Sequence, residues 1–219
     1  MKTLTKNLVL SIALTFTGIN AFAQTAYEKA MTEKVAKVEQ SQNPEELATL
    51  SNDFARIGLK ETNEWLPNYY AAFAEIQKGR LLMQQNKLSE LDEIAAEAQK
   101  FIDLAEKNSP NNVEITILKK MIHSLKMMVN PQARYMSEGS LAKKYMAEAE
   151  EIDPENPRIT LLKAEDTYFT PEQFGGSKEK GLELFKKAQE QYKVYKSPTA
   201  FSPSWGKEEA DYFVSQAAK

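Results

Sequence analysis

AQKFIDLAEKNSP at residues 98–110 and AKKYMAEAEEIDP at residues 142–154 place a small residue, a bulky apolar residue, a second small residue and a proline at identical spacing. In the first segment these are Ala98, Ile102, Ala105 and Pro110; in the second they are Ala142, Met146, Ala149 and Pro154. A third segment, GLELFKKAQEQYK at residues 181–193, repeats the first three places as Gly181, Phe185 and Ala188, with Lys193 where the proline would stand. Steps of three and four put such residues on one face of an α-helix. Small side chains there let a neighbouring helix approach to the short end of the usual interaxial range of about 8–10 Å. The bulky residue fills the groove between them, and the proline, with no N–H to donate, ends the helix.

The same periodicity runs through most of the chain. Tyr27, Met31, Val35 and Val38 form one stripe, Leu47, Leu50, Phe54 and Ile57 another, and Ile115, Leu118, Ile122, Leu125 and Val129 a third. Sustained alternation of period two is missing, so no sheet is expected. The boundaries fall between the stripes. Asn43-Pro44-Glu45-Glu46 supplies a cap, a first-position proline and acids at the positive end of the helix dipole. Ser89 with Asp92 reads as a capping box, and Asn130-Pro131, Asp153-Pro154, Ser177 after Gly175-Gly176, and Ser204 mark further boundaries. Nine helices are predicted, near 26–41, 44–61, 66–85, 89–107, 112–129, 132–151, 157–168, 177–195 and 205–217.

The small-bulky-small-proline pattern resembles the second helix of the tetratricopeptide repeat. That resemblance implies an all-α fold, a right-handed superhelix of stacked antiparallel helix pairs (an α-solenoid). The segments beginning at 98, 142 and 181 lie further apart than the family's period of about 34 residues, which calls for insertions of roughly ten and five residues. The first belongs between Asn130-Pro131 and Gly139-Ser140, the second in the turn-rich stretch from Phe169 to Gly176. Ala164 occupies the family's small first-helix place after Pro154, whereas Lys120 stands at the equivalent place after Pro110. Upstream of residue 89 the register of the pattern is lost. Residues 204–219, carrying Trp205, Tyr212 and Phe213, read as a capping helix.

The N-terminus reads as an export signal over residues 1–23. Lys2 and Lys6 make a basic start, Leu8 to Ile19 an apolar stretch, and Ala21-Phe22-Ala23 a cleavage site before Gln24. Residues 24–219 then form a single helical repeat domain. The chain contains no cysteine, so neither a disulfide framework nor an acceptor for N-terminal lipidation exists. The expectation is a periplasmic or secreted protein without membrane insertion after signal removal. The first 23 residues hold two of the 28 Lys and Arg and none of the 31 Asp and Glu, so the exported chain is more acidic than the formal net charge of −3. Acidity of this sign argues against nucleic-acid and anionic-membrane partners.

Catalytic machinery is not expected. His123 is the one histidine, and its neighbours Ile122 and Met127 suggest a helix wall or groove position. Zinc sites draw on three or four His or Cys ligands, which the chain does not have. The acids of Glu148 to Asp153 and Glu165-Asp166 read as solvated helix faces, and Gly175-Gly176-Ser177 as a hinge before a helix. Trp65, Tyr69, Tyr70 and Phe73, and then Tyr168, Phe169 and Phe174, read chiefly as core, with an interaction hot spot as the other possibility. In the tetratricopeptide family the first helix of each pair lines an open face that captures a peptide. By that resemblance Arg158, Leu161, Glu165 and Tyr168 face a groove. The expected function is a non-enzymatic scaffold of the bacterial cell envelope binding a protein or peptide, with no cofactor and no metal. The alternative is a small-molecule-binding accessory protein of a solute uptake system, its aromatic clusters enclosing a pocket.

Overall fold

Local chemistry sets where the rods begin in the computed structural model, which describes residues 25–217. Helix α1 (Ala26–Gln40) opens on a reciprocal capping box between Thr25 and Glu28. Before α2 (Pro44–Lys60) the Asn43 side chain accepts from the N–H groups of Glu45 and Glu46. Asn112, Asn156 and Ser177 cap α5 (Val113–Met128), α8 (Pro157–Phe169) and α9 (Lys178–Val194) in the same manner. Between these lie α3 (Leu66–Gln84) and α4 (Leu91–Asn108), and at the end α10 (Lys207–Gln216). Ser89 and Asp92 do not form the expected capping box. A 3-10 turn, Leu88–Glu90, leads into α4, and Asp92 instead pairs with Arg134, 2.6 Å away.

Helices α6 (Pro131–Arg134) and α7 (Ser140–Ile152) are joined without a break by a π-helical turn, Tyr135–Gly139. The longer of the two expected insertions is therefore helical. Counting that stretch as one rod, the described residues form nine, and no strand is present among them. The fold is all-α.

Successive helices pack in sequence: α2 on α3, α3 on α4, α4 on α5, α5 on α7, α8 on α9 and α9 on α10, with α3 also reaching α5. Helix α3 sits innermost, with Tyr69, Tyr70, Phe73 and Ile76 all removed from solvent. Ala98, Ile102, Ala105, Ala149, Phe185 and Ala188 are fully buried, and Gly181, Ala142 and Met146 are buried with them. Pro110 and Pro154 lie exposed just beyond the helices they follow.

Gly181 shows what the small residue achieves. A Cβ built on it would lie 2.6 Å from Cβ and 2.8 Å from Cα of Tyr168, so α9 approaches the backbone of α8. Gly181→Ala is expected to cost about 1–3 kcal/mol through overpacking, seen as a drop of several degrees in thermal unfolding followed by circular dichroism. An unchanged midpoint would show that the two helices have room to part.

The last irregular stretch decides the shape of the remaining surface. After α9 the chain crosses back over α8, α3 and α1. Tyr195 hydroxyl accepts from Arg158 Nη2 at 2.7 Å, and Phe201 packs edge-on against Tyr27 at 5.6 Å. Trp205 Nε1 donates to Tyr69 hydroxyl at 2.8 Å, and its ring stacks on Phe73 at 5.0 Å. Trp205 thus precedes α10 instead of lying on it as the capping-helix reading expected. Gly206 follows at φ 99°, a left-handed conformation that turns the chain into α10.

This return path corrects the expected groove. Arg158 and Leu161 are fully buried, covered by the chain's own C-terminal segment, and do not face an open surface. The Glu165 side chain is 16% exposed and ion-paired to Arg80. Tyr168 is half-buried against Phe169, Phe185 and Phe213. The signal segment with Ala23 and Gln24 lies outside the described residues.

Candidate functional site

Where the C-terminal segment meets α1 and α3 it leaves a cleft of about 590 Å³. Val38, Glu39 and Gln40 from α1 form one wall, Gln77, Arg80 and Gln84 from α3 the other, and Ser204 to Glu209 close the end. Phe73 and Trp205 also line it, their stacked rings inclined at 25°. A cleft of several hundred Å³ with an apolar floor and a few placed charges is a usual form of a small-molecule site. Among the described residues lining it there is no histidine, cysteine, methionine or tyrosine.

Charge is distributed unevenly around the cleft. Arg80 Nη2 lies 2.9 Å from Glu209 Oε1 and 3.3 Å from Glu165 Oε2. Lys207, at the rim, pairs with Asp211 at 2.5 Å. Glu39 is raised above the usual carboxylate range, mainly by burial and further by Glu208, against the lowering effects of the Ser204 hydroxyl and Arg158. Glu165 is raised to about 7, first by burial and then by Glu209 and Asp166, with Arg80 and Lys120 opposing.

Behind the cleft wall is a buried ion pair. Arg158 Nε donates to Glu114 Oε2 at 2.8 Å and Nη2 to Glu114 Oε1 at 2.5 Å, while Asn156 Nδ2 donates to Glu114 Oε1 at 2.7 Å. The guanidinium also lies 4.6 Å from the Tyr195 ring and 5.9 Å from that of Trp205. Burial acts to lower the Arg158 pKa, but Glu114 outweighs it and the guanidinium stays charged. This pair holds the segment that carries Trp205 and so positions the cleft.

The structure brings Glu165 to the second layer of this cleft, through Arg80, and places Arg158 and Leu161 beneath it. Tyr168 belongs to an aromatic cluster with Phe213, and neither residue lines the cleft. His123 stands apart as well, its Nδ1 2.7 Å from Glu138 and its ring stacked on Tyr145 at 5.3 Å. Among the described residues no group of three or more His, Cys, Asp or Glu is placed to hold a metal ion. Sequence reading passed over Arg80 and Glu209. The available signal was an arginine within a helix, Leu66–Gln84, that is otherwise buried almost all round.

No family model matches the chain, the tetratricopeptide repeat included, and no curated protein does either. Among solved structures it is similar to the HusA haemophore from Porphyromonas gingivalis. The two are 34% identical, with a TM-score of 0.76 over 88% of this chain and 92% of that one. The chain belongs to the HusA haemophore family. Membership makes it a helical binding protein and not an enzyme, and the tetratricopeptide likeness describes helix packing only. It also overturns the expectation of a protein or peptide partner without metal, because the haemophore is named for haem, an iron-bearing small molecule. No helix among the described residues is long and apolar enough to cross a membrane.

Proposed function

We propose that this chain is an exported haem-capture protein of the cell envelope that holds its cargo in the cleft between α1, α3 and the segment leading to α10. The carrying observation is the 34% identity to a haemophore across nearly all of both chains. The cleft supports it in three respects. Its volume suits a small molecule, the stacked and almost wholly buried rings of Phe73 and Trp205 give it a rigid apolar floor, and Arg80 and Lys207 offer cations to the propionates. Export is supported by the basic start, apolar stretch and Ala21-Phe22-Ala23 site, with residues 24–219 as the exported domain.

The lining residues supply no strong iron ligand, so the porphyrin ring and its carboxylates carry recognition. Iron-free protoporphyrin is therefore expected to bind within about threefold of haem, roughly 0.7 kcal/mol. Titration of each into the protein, read by quenching of Trp205 fluorescence in a Trp65→Phe background, measures this. A loss of a hundredfold without iron would assign the cargo to a site with an axial side chain and remove this cleft from consideration. Absence of binding by either compound would end the haem reading altogether.

A further inference from the structure

Arg80 serves two carboxylates from two different helices through one guanidinium nitrogen. Glu209, on α10, is 30% exposed and lines the cleft, whereas Glu165, on α8, is 16% exposed and faces inward. Glu165 Oε1 is buried and has no hydrogen-bond partner. The other groups acting on Glu165 are Lys120 from α5, Asp166 from its own helix and, from α9, Tyr192. Lys120 is committed to Asp166, at 2.8 Å. Arg80, 20% exposed, is thus the one cation that both holds Glu165 and reaches the cleft.

We propose that Arg80 is the anchor for a carboxylate of the cargo, which displaces Glu209 into solvent and draws a proton from solvent onto Glu165. This rests on the haem-capture reading, in which the carboxylate is a haem propionate. An incoming carboxylate takes the place of Glu209 on Arg80. Glu209 is already partly solvated and can leave at small cost. Glu165 cannot follow it into water; the seated cargo instead closes off the solvent that still reaches its side chain, 16% exposed, and further desolvation disfavours the ionised form. Its orphan Oε1 is the atom positioned to take the proton. The carboxyl is poised for this near neutrality, since burial lifts it to about 7. Because seating the cargo consumes a proton, affinity falls as pH rises above about 7, by at most about tenfold per unit, and levels off below it.

The test is isothermal titration of the protein with haem and with haem dimethyl ester at pH 7.5, in two buffers of different ionisation enthalpy. The wild type, Glu165→Gln and Glu209→Gln are compared. Haem is expected to bind about tenfold more tightly than the ester, with uptake of about half to one proton. Glu165→Gln should still bind haem but take up no proton. Glu209→Gln, freed of the competing acid, should bind haem several-fold more tightly and the ester unchanged. Equal affinity for haem and ester, or proton uptake that persists in Glu165→Gln, overturns the anchor while leaving haem capture intact. If neither ligand binds the wild type, the haem reading falls and the anchor with it.

Discussion

Arg158→Met is expected to lower stability by about 3–5 kcal/mol, which for a chain of this size shifts thermal unfolding by roughly 10 °C or more. Arg158 is wholly buried and Glu114 nearly so, and their two hydrogen bonds satisfy both oxygens of the carboxylate. Removing the guanidinium strands an anion in a low-dielectric interior with only the neutral Asn156 amide as a donor, which does not offset its desolvation. Tyr195 loses its donor at the same time, so the crossing segment loosens where it passes α8. The double variant Glu114→Met/Arg158→Met should recover most of the loss, because replacing a buried pair as a unit removes the stranded charge. Circular dichroism melts of the single and double variants measure both. A single variant within about 1 kcal/mol of wild type, roughly 3 °C, would mean that Glu114 finds water and that the pair is not sealed.

Trp205→Ala should be comparably damaging, about 3–5 kcal/mol, and should also abolish most haem binding. The indole is 4% exposed, donates to Tyr69, stacks on Phe73, and its backbone carbonyl accepts from Tyr192 hydroxyl at 2.8 Å. Truncation opens a cavity against α3 and removes half of the cleft's aromatic floor. Trp205→Phe separates the two roles. The ring remains for the cargo, whereas Tyr69 hydroxyl is left without its partner, at a cost of about 1–3 kcal/mol. The phenylalanine variant should therefore melt lower than wild type yet bind haem within about tenfold of it. If alanine leaves the haem affinity unchanged in protein that is still folded, the cargo does not rest on this ring.

Arg158 stands where the helix pattern puts it, but not on an open face. Its place in the chain was read correctly: Asn156 caps α8 and Pro157 opens it. The tetratricopeptide resemblance then assigned it to an open face, which is true only while nothing lies on that face. The same holds for Leu161, whose Cδ2 sits 2.4 Å from where a Cβ on Gly206 would be. Glu165 was named for a groove and stands one layer behind the cleft, through Arg80. Arg80 itself carried no pattern, since nothing along α3 separates it from Lys78, which pairs with Glu75 on the same helix, until Glu165 and Glu209 arrive from elsewhere.

What the amino-acid sequence determined alone is the set of rods and how closely they nest. Caps such as Asn43 and Ser177 and notches such as Ala98 and Gly181 act over one or two helical turns, so spacing along the chain suffices to read them. The tertiary structure alone decided which face stays open. Residues 195–206 have no helical period, and their path is set by Trp205 meeting Tyr69, 136 positions earlier. A contact of that separation leaves no local trace, because the free energy that fixes it comes from burial against α3 and not from the conformational preference of the segment.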